Sequence, residues 1–172
     1  MSQIKDDMLP FIKKDEIKKL VKSLAKQIDF DYVGREIVFI CPLRGSIHFC
    51  ADLMREVQSP QQVDFVHLQA VEKGGAIKII KDISTNIAGK HVIIVEEIID
   101  TGRTLSFLRN RLMASSPASL KIVTLLDKPA RREIPLRPDY IGRTIDDRYV
   151  VGYGMDNEDF GRNYPDIYFL KN

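Results

Sequence analysis

The stretch Glu96-Glu97-Ile98-Ile99-Asp100-Thr101-Gly102-Arg103-Thr104 gathers three acids, two hydroxyls, a glycine and a cation within nine residues. Its second half has the parts of a phosphate cradle. Gly102 lets backbone amides turn toward one point, a helix starting near Leu105 leaves N–H groups unpaired, and Thr101 and Thr104 add hydroxyl donors. Three acids do not suit a bare anion site. Carboxylates beside a phosphate are useful when they accept hydrogen bonds from sugar hydroxyls, or when a hard cation such as Mg²⁺ bridges them to an anionic ligand. A phosphorylated sugar meets both conditions. The competing reading is a capped helix, with Thr104 as N-cap and the acids favouring the positive helix end. It leaves unexplained why apolar Ile98 and Ile99 separate the acids.

Strands and helices must position such a loop, and hydrophobic period places them. Ile17, Leu20, Val21, Leu24, Ala25 and Ile28 form the apolar stripe of an amphipathic helix with lysines on its wet face. Glu36 to Cys41 reads as a strand, Pro42 to Ser46 as a tight loop, and Ile47, Cys50, Ala51, Met54 and Val57 as a second helical stripe. Val63 to Leu68, the turn Glu72 to Ala76 and Ile77 to Ile80 suggest a hairpin or flap. His91 to Val95 is an apolar run typical of a strand buried on both faces, followed by a polar loop from Glu96 to Thr104 and a helix carrying Leu105, Leu108 and Leu112. Leu120 to Leu126 is another such strand, Pro129 to Pro138 is irregular, and Tyr149 to Tyr153 is the last clear strand before Ile167 to Leu170. The alternation predicts an α/β fold with a largely parallel sheet, whose ligands sit beyond the carboxyl ends of the strands. There is no internal repeat.

Composition narrows the function. A chain of 172 residues suits one domain, 1–172, and 44% hydrophobic content supplies its core. With 26 Lys and Arg against 24 Asp and Glu, the net charge of +2 excludes a protein that coats polyanions by bulk field, so no nucleic-acid partner is expected. No apolar run reaches membrane-spanning length and the first residues include acids where a signal peptide needs bases, which points to the cytoplasm and no membrane. Cys41 and Cys50 lack zinc spacing and are expected as reduced, buried thiols. His48, His67 and His91 receive no role.

The run from Val92 to Leu105 resembles the phosphoribosyl-pyrophosphate (PRPP) motif of type I phosphoribosyltransferases. The likeness extends further: Pro42-Leu43-Arg44-Gly45 is similar to that family's pyrophosphate loop and Leu126-Asp127-Lys128-Pro129 to its purine-facing lysine segment. Asp147 to Asp156 resembles the purine-stacking strand of the hypoxanthine-guanine branch. The resemblance implies a parallel twisted sheet flanked by helices, with a small hood and a mobile flap. It implies transfer of the 5-phosphoribosyl group from PRPP to a 6-oxopurine, giving IMP or GMP and pyrophosphate, with Mg²⁺ as cofactor and a homodimer or homotetramer as assembly.

By the same resemblance Asp100, Thr101, Gly102, Arg103 and Thr104 bind the 5′-phosphate, and Glu96 and Glu97 hold the ribose hydroxyls, directly or through Mg²⁺. Asp100 lies near purine N7 as general acid/base, unless it only orders the phosphate loop. Leu43, Arg44 and Gly45 face pyrophosphate across a Leu43–Arg44 peptide that the family holds cis, and Arg162 reaches the same group. Lys128 reads the 6-oxo group, Tyr149 stacks on the purine, Val150 reads its edge and Ile98 flanks it. Asp156 is the second metal contact, near the pyrophosphate, and is counted among the purine-binding residues as well. Departures from the family pattern are Ala70-Val71 in place of a Ser-Tyr pair with a shortened flap after it, Arg44 for lysine, Glu97 for aspartate and Tyr149 for phenylalanine. The first of these leaves a second reading open, a regulatory protein that senses PRPP without turnover.

Overall fold

Side chains alternate across a strand, and in the two central strands both sides are apolar, so both must be covered. Phe39, Cys41, Ile93 and Val95 point into one buried cluster, Val38, Ile40, Val92 and Ile94 into the other. The computed structural model describes residues 8–71 and 76–170. Its elements are β1 (Met8–Ile12), α1 (Lys14–Asp31), β2 (Ile37–Leu43), α2 (Ile47–Glu56), β3 (Gln61–Ala70), β4 (Ile77–Lys81), β5 (His91–Ile99), α3 (Arg103–Met113), β6 (Ser119–Asp127), a 3-10 turn at Pro129–Arg131, β7 (Tyr140–Thr144), β8 (Val150–Val151) and β9 (Ile167–Leu170).

Six strands form one sheet in the order β4-β3-β2-β5-β6-β7. All neighbours are parallel except β3 and β4. One face carries α1 and α2, through Ile17, Leu24, Ile28, Phe49 and Leu53, and the other carries α3 through Leu105, Leu108 and Leu112. Each fully buried leucine or isoleucine contributes about 1.5–3 kcal/mol relative to exposure. The α/β class and the parallel sheet between helices are therefore as expected. A separate antiparallel sheet, β1-β9-β8, is the hood. Phe11 and Phe169 stack in it with ring centroids 3.9 Å apart.

Several boundaries differ from the sequence reading. β5 continues through Ile99 where a polar loop from Glu96 was expected, because Ile98 pairs with Leu126 and Ile99 with Asp127 in β6. This accounts for Ile98 and Ile99: they are strand residues, and Ile99 is 2% exposed. Thr104 is not an N-cap; Gly102 holds that position with φ +81°, a region open to glycine because it lacks a Cβ. The last strand keeps only Val150–Val151, since Gly152, Tyr153 and Gly154 all take positive φ and turn the chain away. β1 and β7 have no counterpart in the elements expected from the sequence. Cys41 and Cys50 are joined in a disulfide, not free thiols, because the tight loop folds α2 back over β2 and brings their Cα atoms to 6.5 Å on one face. The flap segment Glu72 to Gly75 lies outside the described residues.

Candidate active site

The carboxyl ends of β2, β5 and β6 open into two adjoining clefts. The larger, about 320 Å³, is walled by Leu43, Arg44 and Gly45, by Glu96 and Glu97, by Asp100 through Thr104, and by Arg162. Every residue expected to touch PRPP is thus in one cavity. The smaller, about 180 Å³, is lined by Glu97, Ile98, Asp100, Lys128, Tyr149, Val150, Met155 and Asp156. That set contains all five residues expected at the purine. Glu97, Ile98 and Asp100 belong to both clefts, so the two open on the same short segment of β5 and the loop after it.

Close backbone approach builds the join. A Cβ added to Gly45 would overlap the Glu97 carboxyl group, and one added to Gly154 would overlap the Gly45 carbonyl oxygen. The loop after β2, the end of β5 and the turn after β8 are in contact only because two glycines sit there. The Leu43–Arg44 peptide is cis, as expected. Ser46 is buried and its Oγ donates to the Pro42 carbonyl at 2.5 Å, closing the loop on itself.

The acids of β5 are electrostatically strained. Burial first, then the neighbouring carboxylate of Glu97, raises the pKa of Glu96 well above the ordinary 4.5. Burial likewise pushes Glu97 up to about 7, with Arg162 pulling in the opposite direction. Two adjacent carboxyl groups that cannot both ionise comfortably are a site for a proton or a cation. Among the described residues no group of three or more His, Cys, Asp or Glu closes into a metal cage. The pair therefore fits a hard cation that keeps water and substrate oxygens as its remaining ligands, the usual habit of Mg²⁺. Asp156, the third residue expected at the metal, is instead engaged by Arg162 at 2.7 Å and accepts from the Asp159 amide at 2.8 Å.

Cations are held by neighbours that the sequence did not reveal. Arg44 pairs with Asp159 at 3.2 Å, and Arg162 Nη2 lies 3.5 Å from the same oxygen. Arg162 Nη1 donates to the Gly154 carbonyl at 2.8 Å while its Nε is buried without a partner. Arg103 is paired with Glu133. Lys128 is 6% exposed, and its amide donates to the Ile99 carbonyl at 3.0 Å, tying the lysine turn to the end of β5. Tyr149 is about half exposed, and its hydroxyl donates to the Asp156 carbonyl at 2.9 Å.

Behind the phosphate loop, Arg132 pairs with Asp127 and donates to the Asp100 carbonyl. The Glu133 amide donates to the Thr101 carbonyl at 3.0 Å. Asp159, Asp127 and Arg132 carry no local signature: each meets its partner through the fold, and the stretch from Pro129 reads only as irregular. A polar pair at 127 and 132 flanking a proline turn is the one available hint.

Alternating strands thus bring a glycine-capped helix start and the acids that end β5 together at the carboxyl end of a parallel sheet. The chain belongs to the phosphoribosyl transferase domain family, whose model matches residues 12–158. It is 46% identical over 156 residues to the hypoxanthine phosphoribosyltransferase of Salmonella typhimurium, covering 87% of this chain and 88% of that protein. It is 37% identical to the bifunctional protein TilS/HprT of Listeria monocytogenes over 93% of this chain, and spans 25% of that relative's length. Among solved structures, a hypoxanthine-guanine phosphoribosyltransferase of Bacillus anthracis superposes with a TM-score of 0.92 at 43% identity, covering 95% of this chain and 97% of the other.

Proposed function

We propose that this chain transfers the 5-phosphoribosyl group from PRPP to hypoxanthine, and also to guanine, releasing pyrophosphate. The observation that carries it is the adjoining pair of clefts, one rich in anion-binding groups and one lined by a buried lysine and a tyrosine, meeting at Glu97 and Asp100. The names of the relatives support the same reading.

In this reaction the bond from the anomeric carbon to pyrophosphate breaks as a purine nitrogen attacks from the opposite side. Positive charge develops on the sugar, so holding both reactants in line and stabilising the departing anion do most of the work. The amides around Gly102, with Thr101 and Thr104, hold the 5′-phosphate. Glu96 and Glu97 hold the ribose hydroxyls and would hold Mg²⁺, which when bound would supply charge neutralisation for pyrophosphate. Arg44 and Arg162 close on the same group once Asp159 and Asp156 release them. Asp100 takes the purine proton as the ring nitrogen attacks. Lys128 donates to the 6-oxo group, and an ammonium that can only donate rejects the amino group of adenine. Tyr149 stacks on the ring. Asp156, engaged by Arg162 in this structure, would be a further metal contact. The assembly we propose is a homodimer or homotetramer, and the place of action the cytoplasm.

The test is to mix the chain with PRPP, Mg²⁺ and each purine in turn and follow pyrophosphate and nucleotide. Turnover with hypoxanthine and guanine but not adenine is expected. PRPP binding by calorimetry without turnover on any purine would instead leave a sensor of PRPP.

A further inference from the structure

Arg131 stands where three parts of the site meet. It lies in the 3-10 turn that follows Lys128, and its Nε donates to Asp100 Oδ1 at 3.0 Å. The same nitrogen is 3.6 Å from Asp147 Oδ1. Asp100 opens the phosphate loop and Asp147 leads into Tyr149, so one guanidinium spans the phosphate loop, the lysine turn and the approach to β8. We propose that Arg131 is a positioning residue for phosphoribosyl transfer: it fixes the Asp100 carboxylate at the mouth of the purine cleft, and Asp147 shares its charge. This role rests on the reading of Asp100 as the group that takes the purine proton.

Two consecutive arginines divide the task. Arg132, buried against Asp127, holds the main-chain carbonyl of Asp100. Arg131, about half exposed, holds the side chain. A carboxylate at the end of a strand has several staggered arrangements open to it. Tying Oδ1 to a cation selects one of them and leaves Oδ2 for a ligand proton. An arginine suits the position because its guanidinium carries a fixed N–H at Nε, which donates to Asp100 with Asp147 close beside it, whereas an ammonium has no such fixed direction. Because all three side chains are partly solvated, the effect is modest, on the order of fivefold in rate.

The experiment is steady-state kinetics with hypoxanthine and PRPP on the wild type, Arg131→Met, Arg131→Lys, Asp147→Asn, Asp100→Asn and the Arg131→Met/Asp100→Asn double variant. PRPP binding by calorimetry and the unfolding temperature are measured alongside. Arg131→Met is expected to lower kcat about fivefold with PRPP affinity and unfolding temperature unchanged, and Arg131→Lys to recover part of the loss. Asp147→Asn leaves the guanidinium to Asp100 alone and should raise kcat up to about twofold. In the Asp100→Asn background the Arg131→Met change should cost nothing more, because the two act through one contact. A loss of the same size in that background, or one that follows PRPP affinity or unfolding temperature, overturns the role. So does an Asp147→Asn loss equal to that of Arg131→Met. An inactive wild type would overturn the reaction and this role together, whereas an active wild type with independent variants overturns the role alone.

Discussion

A lysine ammonium can only donate hydrogen bonds, and at position 128 it is 6% exposed beside Asp100, Tyr149 and Val150. Lys128→Ala should therefore weaken use of 6-oxopurines about tenfold or more, the loss of a charge-assisted hydrogen bond, while PRPP binding by calorimetry stays near the wild-type value. Equal losses of both would contradict the assignment. Glu96 and Glu97 make a second prediction. Their folded pKa values lie above the ordinary 4.5, so the stability they contribute is complete below that pH and is lost as pH rises through the value of about 7 for Glu97. In the proposed function, Mg²⁺ would compete with the proton for the pair. Its stabilising effect in thermal unfolding should be small near about pH 5 and larger near about pH 8, and Glu97→Gln should reduce the difference. The acids were legible as chemistry in the sequence. Their pairing with each other, rather than with Asp156, was not, because Arg162 reaches Asp156 from six residues on through a turn of positive φ.

At the scale of elements, Asp64 ties the chain after β4 back to β3. Asp64 in β3 accepts from the amides of Ser84 at 2.6 Å and Thr85 at 2.8 Å, from Phe65 at 2.7 Å, and from Lys81 at 3.3 Å. Burial pushes its pKa up, yet these donors win and hold it well below the ordinary carboxylate range. A depressed folded value stabilises above the unfolded pKa and is lost as pH falls below it. Asp64→Asn should lower stability by about 1–3 kcal/mol at neutral pH, and the gap from wild type should narrow below about pH 4, read by denaturant unfolding. Interior strands were easy to read because both faces are apolar. The length of β5 was not, because Glu96 and Glu97 interrupt the apolar run, and only pairing with β6 keeps the segment extended. β1 and β7 are short edge elements whose residues alternate too briefly to stand out.

Across the whole molecule, the site draws on two sheets. The parallel sheet supplies Glu96, Glu97 and the loop from Asp100 to Thr104, and the hood supplies Tyr149 and Val150 through pairing of β8 with β9. Phe169 on β9 stacks on Phe11 and carries the Arg148 guanidinium 4.7 Å from its ring. Phe169→Ala should loosen the hood by about 1 kcal/mol or more, raising the purine KM several-fold with PRPP affinity within about twofold. A loss of PRPP binding of the same size would show that the two sheets do not act separately. The sequence by itself determined the α/β class and singled out the loop from Asp100 to Thr104, Lys128 and Tyr149 as candidates, because each depends on local spacing and on residue chemistry. Tertiary structure alone decided the disulfide between Cys41 and Cys50, the contact of Gly45 with Glu97, and the arginine partners at Asp100 and Asp159. Those depend on how distant segments are brought within a few ångströms of each other. Such distances follow from packing two sheets and three helices around shared cores, and no short stretch of chain encodes them.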